Sequence, residues 1–229
     1  MTESILAIET SSETCSVALL HNGQLSERSS AEPRGHAKNL LPMINALLND
    51  AEIKAADLDV IAVTNGPGAF TSIRIGVAVC QGLAAAVKCP VISVSSLAVL
   101  AYGAMKESST SSAVVALDAR MNEVYLGIYG LDDNGLPSAI VSDTVCSPTN
   151  IVVADPLQSQ NPVAAGMGWL AYEQEMKTSF SSVNYTSVDL PFPRAADLLD
   201  IARHEYRQGN THDVAELVPI YLRDQVVHS

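Results

Sequence analysis

Asn65-Gly-Pro-Gly-Ala-Phe-Thr-Ser-Ile-Arg-Ile-Gly76 sets a tight Gly/Pro turn between two differently patterned stretches, and its reading decides the fold. Before it, Val60-Ile-Ala-Val63 is a continuous apolar run rich in β-branched residues, the pattern of a strand buried on both faces. After it, the pattern from Ile73 to Val87 is too long and too rich in alanine for a strand. The turn therefore joins a buried strand to a long helix.

Upstream of that turn, Ser4 to Thr10 reads as a strand, Cys15 to His21 as a second and Gln24 to Ser30 as a third. Asn22-Gly23 between the last two is a two-residue hairpin turn of the kind that wants positive φ. Leu40, Ile44, Leu47 and Leu48 recur at helical spacing, with Pro42 tolerable near the first turn or as a kink. Val91-Ile-Ser-Val94 closes a crossover, and Ser95 is placed to cap a helix through Leu97 and Leu100 towards Met105. Three antiparallel strands followed by crossovers imply a mixed sheet.

Lys106-Glu-Ser-Ser-Thr-Ser-Ser112 is polar, serine-rich and without periodicity, so it is expected to link an N-terminal lobe, 1–105, to a C-terminal lobe, 113–229. Beyond it the order restarts: strands at Ala113 to Asp118 and Val124 to Tyr129, a turn at Asp132-Asp-Asn-Gly135, and a strand from Ser138 to Val145. Val163 to Gly168 reads as a strand running into a turn, and Leu198, Ala202 and Tyr206 mark a helix from Ala195 to Gln208 stopped by Gly209. Two α/β lobes are expected, the second echoing the first in outline.

The 229 residues suffice for one large core or two modest ones. A formal charge of −12 repels phosphate backbones, and the thirteen Lys and Arg residues form no run, which argues against a dedicated nucleic-acid surface. Cys15, Cys80, Cys89 and Cys146 form no C-x-x-C pair, and a reducing compartment fits them. No basic region followed by an apolar segment opens the chain, and the apolar run from Ile73 to Val87 is broken by Arg74 and Gln81. A soluble, cytoplasmic protein is the expectation.

The Asn65 turn, the opening Ile5-Leu-Ala-Ile-Glu-Thr-Ser-Ser-Glu-Thr14, Ser95-Ser-Leu97, Asp118-Ala-Arg-Met-Asn-Glu-Val-Tyr125 and Pro219-Ile-Tyr-Leu-Arg223 stand in an order and spacing that resembles the TsaB family, older name YeaZ. That family belongs to the bacterial machinery that makes threonylcarbamoyladenosine in tRNA, and the resemblance covers essentially the whole chain. It implies the two-lobed fold of actin, sugar kinases and heat-shock ATPases, with a shortened second lobe. It also implies a noncatalytic subunit that activates TsaD, the partner that transfers threonylcarbamoyl to the adenosine beside the anticodon. TsaE, an ATPase, is the further implied partner, a homodimer the implied state in isolation, and any tRNA contact indirect. The rival readings are an ATP-binding kinase or carbamoyltransferase-like enzyme of the same fold, and a metallopeptidase.

Residues for such chemistry are sparse. Gly66, Gly68 and Thr71 could cradle a phosphate at a helix start, but no Lys follows as in a P-loop, and Pro67 removes a donor. Glu9, Thr10 and Ser11 occupy the loop that holds Mg²⁺ and phosphates in ATPases of this fold, yet the glycine expected there is absent, and the hydroxyls can as easily close the turn on its own backbone. TsaD carries an H-x-x-x-H metal motif; here His36 is followed by Leu40, so His36 reads as a helix-start or surface residue. No G-x-S-x-G or H-E-x-x-H is present, Asp118, Glu123 and Asp197 have no visible partners beyond an Asp118–Arg120 pair, and no cofactor is expected.

What remains is a surface. Ile73, Val77, Cys80, Ala84 and Val87 form one stripe of the long helix, and Ile75, Val79, Gly82 and Ala86 another, about 200° away. One can lie on the lobe's own sheet; the other needs a helix, either Leu40–Leu48 of this chain or one from outside. The resemblance favours the outside helix, from TsaD or a second copy, and the expected interface is Ile73, Gly76, Val77, Cys80, Gln81 and Ala84.

Overall fold

The computed structural model describes residues 3–151 and 161–223. Its elements are β1 (Ile5–Glu9), β2 (Cys15–His21), β3 (Gln24–Ser30), α1 (His36–Asp50), β4 (Val60–Thr64), α2 (Phe70–Val87), β5 (Val91–Val94) and α3 (Ser96–Ser108). There follow β6 (Ser112–Arg120), β7 (Glu123–Leu131), β8 (Pro137–Cys146), β9 (Val163–Ala165), α4 (Met167–Ala171), α5 (Glu173–Ser179), β10 (Thr186–Ser187) and α6 (Ala195–Gln208). The chain forms two compact units, Met1–Ser96 with Pro193–Pro219, and Leu97–Phe192 with Ile220–Ser229.

In the first unit the sheet order is β3-β2-β1-β4-β5. β1 pairs antiparallel with β2 and parallel with β4, Ile8 facing Val17 on one side and Val63 on the other. Every residue of β1 and β4 is buried, as their four-residue apolar runs demand, and the burial extends to the polar residue that ends each strand, Glu9 and Thr64. Side chains alternate across the sheet, so Leu6, Ile8, Ile61 and Val63 join α1 and α2 in one core. The opposite face is covered by α6, which packs on β1, β2 and β4 through a buried stripe that includes Leu198, Leu199 and Ala202.

The second unit repeats the wiring. Its sheet runs β8-β7-β6-β9-β10, with β6–β7 and β7–β8 antiparallel and β6–β9 and β9–β10 parallel. This 3-2-1-4-5 order, present once in each unit, is the duplicated α/β arrangement of the actin-like fold, with the fourth and fifth strands cut to three and two residues.

The division differs from the expected linker at 106–112. α3 continues through Ser108, whose hydroxyl donates back to Ala104 O at 2.7 Å, and Thr110 N–H closes the helix end on Met105 O at 3.1 Å. The serines thus terminate a helix and enter β6, because hydroxyls bond nearby carbonyls as readily as they dissolve in water; the units part at Ser96–Leu97. The expected C-terminal lobe is likewise corrected, since α6 returns to the first unit. Ala195 N–H donates to Ser16 Oγ at 2.9 Å, and Arg203 and Arg207 pair with Glu3. Those two guanidiniums, Arg207 foremost, hold the Glu3 carboxyl below its usual range. α1 begins four residues ahead of Leu40, and Pro42 sits inside it on the exposed side.

Candidate functional site

The loop after β1 folds onto the turn before α2. Glu9, only 1% exposed, accepts from Ser11 N–H at 2.6 Å and from Ser11 Oγ at 2.5 Å, with Thr64 Oγ1 at 3.4 Å. The Thr10 hydroxyl donates to Ser72 O at 2.9 Å. Ser11 O accepts the Ala69 N–H at 2.8 Å, and Gly66 O accepts the Ser96 N–H at 2.9 Å. A Cβ added to Gly68 would fall on Ser11 O, and one added to Gly76 on Thr10 Oγ1, so these two glycines are required by close approach of the loop.

The structure therefore brings Glu9, Thr10, Ser11 and Gly68 together, with Gly66 in the same turn, and leaves Thr71 exposed on the first turn of α2. In this arrangement the Ser11 and Ala69 N–H groups, which an anion would need, are already bonded within the protein. Burial pushes the Glu9 carboxyl up to about 7, against the pull of its bonds from Ser11 and Thr64.

His36 does start α1, but it is buried rather than at the surface, and its Nε2 lies 3.1 Å from both Ser12 O and Thr14 O. Both neighbours are acceptors, so Nε2 carries the hydrogen and offers no lone pair to a metal. Among the described residues no group of three or more His, Cys, Asp or Glu could share a metal ion.

α2 resolves the choice between faces. Ile73, Gly76, Val77, Cys80 and Ala84 are buried, packed into the core beneath Leu6, Ile8 and Ile61, so the interface expected at these residues is corrected: they face the chain's own sheet. Gln81 is half-buried and donates from Nε2 to Leu217 O at 2.8 Å. The outward face carries Phe70, 55% exposed, then Thr71, Arg74, Ala78, Gly82, Ala85 and Ala86. Ile75, Val79, Leu83 and Val87 are its half-buried flank, packed on the core with Met43 of α1, which gives the helix partial cover from within the chain.

The Arg74 guanidinium lies 3.5 Å over the Phe70 ring, a pair spaced i, i+4 that was present in the sequence but not read there. A Cβ on Gly82 would meet nothing within 4 Å. By length and composition alone α2 is apolar enough to cross a membrane, the single such helix among the described residues. Its inner stripe is instead committed to the sheet, and its outer strip of small residues suits close packing of another helix.

Asp197 pairs with Arg194 at 2.7 Å, an i, i+3 spacing present in the sequence but not read there, whereas Glu123 pairs with Arg223, a hundred residues away and beyond sequence reading. Asp118 meets Arg120 at 3.2 Å as expected, and also accepts from the Tyr172 hydroxyl at 3.1 Å.

Comparison with known proteins agrees with this architecture. A family model described as TsaD, tRNA N6-adenosine threonylcarbamoyltransferase, matches residues 27–227. The tRNA threonylcarbamoyladenosine biosynthesis protein TsaB of Haemophilus influenzae is 38% identical over 97% of this chain and 94% of its own length. Its Escherichia coli counterpart is 36% identical over 97% and 95%. Among solved structures, YeaZ from Pseudomonas aeruginosa superposes with a TM-score of 0.88 at 38% identity, covering 96% of this chain and all of that one.

Proposed function

The chain belongs to the TsaB family, and from that premise we propose that it serves threonylcarbamoyladenosine modification of tRNA as a noncatalytic subunit. In this reading it acts through a protein-docking surface and not through a reaction centre. The observation that carries the reading is the outward face of α2, a strip from Phe70 to Ala86 that beyond Thr71 and Arg74 consists of the small residues Ala78, Gly82, Ala85 and Ala86, which let a second helix approach closely. The collapsed loop supports it from the other side: Glu9, Ser11 and Gly68 fill the place where an ATPase of this fold would hold phosphate.

The occupant of the α2 face is TsaD in the working complex and a second copy of this chain in isolation. TsaD carries the transfer of threonylcarbamoyl to the adenosine, TsaE joins the pair, and tRNA is met only through the assembly, in the cytoplasm. A net charge of −12 is consistent with a subunit that leaves RNA contact to others.

Gly82→Arg tests the assignment cleanly, because the isolated fold has open space for the side chain. The variant is expected to melt as the parent does, to run as a monomer by light scattering, and to lose capture of TsaD. A folded variant that still dimerises and still captures TsaD would place the interface elsewhere. Isothermal titration with Mg·ATP separates the kinase-like alternative, for which stoichiometric binding by the isolated chain is required.

A further inference from the structure

The second unit carries a cleft that the proposed function does not use. It encloses about 370 Å³ between the start of α4, α5 and the segment 185–191. Gly166 opens it: its φ is +105°, and an added Cβ would fall on Ala116 O, so only glycine makes this corner. Gly166 N–H donates to Leu190 O at 3.0 Å and Met167 N–H to Pro191 O at 2.9 Å, which ties the two walls together.

The aromatic lining is equally fixed. Trp169 Nε1–H donates to Val114 O at 3.1 Å, and the indole packs against Phe180 at 5.2 Å and Tyr185 at 5.0 Å between centroids. Leu170, exposed, forms an apolar lip. Of the charged residues lining the cleft, Lys177 is bound to Glu173 at 2.5 Å, while Asp189 has no ion pair among the described residues.

We propose that this cleft binds a guanidinium group, with Trp169 and Tyr185 as aromatic walls and Asp189 as counter-ion. A planar, weakly hydrated cation gains from aromatic faces and can bond a carboxylate through two parallel N–H groups. With the Glu173 charge offset by Lys177, an anion would still meet the carboxylate of Asp189, a neutral aromatic would leave Asp189 unused, and an alkylammonium would surrender more hydration for fewer bonds. The volume, at the small end of the range for ligand pockets, suits one arginine side chain. That group could arrive on a partner protein or as a free guanidino compound.

Trp169 is the chain's only tryptophan, so intrinsic fluorescence reports on the cleft directly. The full chain would be titrated with N-acetyl-arginine methylamide, with its uncharged citrulline counterpart, and with agmatine. Saturable change is expected for the arginine probe with a Kd of about 1 mM or tighter, and at least about tenfold weaker binding for the citrulline probe. Asp189→Asn, exposed and hence expected to melt like the parent, should weaken the arginine probe by about tenfold, and added salt should do the same by screening. Agmatine binding as tightly as the arginine probe supports a free ligand, and weaker binding supports an arginine in a protein. A linear, unsaturable response, equal response to citrulline, or an unchanged Asp189→Asn variant overturns the proposal.

Discussion

Ser11 O accepts the Ala69 N–H at 2.8 Å while the Ser11 N–H is itself held by Glu9 Oε1 at 2.6 Å, so one residue joins a buried acid to the first turn of α2. The N-terminus of α2 is thereby anchored to a group whose burial raises its pKa to about 7.

Glu9 sets a pH dependence with a definite sign. Its folded pKa of about 7 lies above the ordinary value of 4.5, so the folded state keeps a proton that the unfolded chain has released. Stability from this group is complete below pH 4.5 and falls until about pH 7, a loss of about 3 kcal/mol. Glu9→Gln keeps an oxygen for Ser11 and removes the titration. Chemical denaturation at pH 5 and pH 8 should show the parent losing stability between the two, and the variant gaining over the parent at pH 8 by up to about 3 kcal/mol. Parallel pH profiles would contradict the burial argument.

Two glycines in one helix should respond oppositely. Gly76→Ala drives a methyl into Thr10 Oγ1 and should cost about 2 kcal/mol or more. Gly82→Ala meets nothing within 4 Å and should stabilise the helix by about 0.5–1 kcal/mol. Thermal melts at low protein concentration, where self-association is suppressed, would compare them.

Adjacent positions on α2 separate fold from docking. Val77 is 3% exposed inside the sheet core, so Val77→Glu buries an unpaired carboxylate and should unfold the first unit. Ala78, one residue on, is exposed, and Ala78→Glu should leave the melt unchanged while abolishing capture of TsaD and self-association. Retention of partner binding by Ala78→Glu would remove this face from the interface.

The same helix shows where sequence reading reaches its limit. The change from a β-branched run to an alanine-rich one across Asn65–Gly76 marks strand, turn and helix, because the period of burial changes there. Gly209 was equally legible as the stop of α6, and adopts φ 77°. The two stripes of α2 are both apolar, however, and only the position of the sheet decides that Val77 turns inward and Ala78 outward. The loop chemistry was half legible: hydroxyls able to close a turn were visible, but not that Ser11 would spend its N–H on Glu9 and its carbonyl on Ala69. The partners of Glu123 and Asp118 arrive from Arg223 and Tyr172, distances along the chain over which local pattern carries no signal.

That remote cluster supports the last prediction. Between β6 and β7 the residues Arg120, Met121 and Asn122 take φ of 62°, 58° and 60° in succession, a left-handed turn without a glycine. Side chains resist this conformation, by roughly 1 kcal/mol or more each, so the turn persists only because its surroundings hold it. Asp118 Oδ1 accepts from Arg120 N–H at 2.8 Å and from the Tyr172 hydroxyl, and Arg223 donates to Ala119 O at 3.2 Å and to Glu123. Met121, 78% exposed, contributes little packing beyond the Arg223 Nη1–H that its Sδ accepts at 3.4 Å. Met121→Gly should therefore stabilise the second unit by about 0.5–1 kcal/mol through relief of the backbone, whereas Arg223→Ala should cost about 1–2 kcal/mol by releasing the clamp. If the turn is held chiefly by the clamp, the glycine variant should also soften the penalty of Arg223→Ala in a double-mutant cycle. Because Met121→Gly also removes the Sδ contact of Arg223, the cycle is run beside one with Met121→Ala, which loses that contact but keeps the left-handed strain. Equal coupling in the two cycles would show that Arg223 serves the side-chain contact and not the turn.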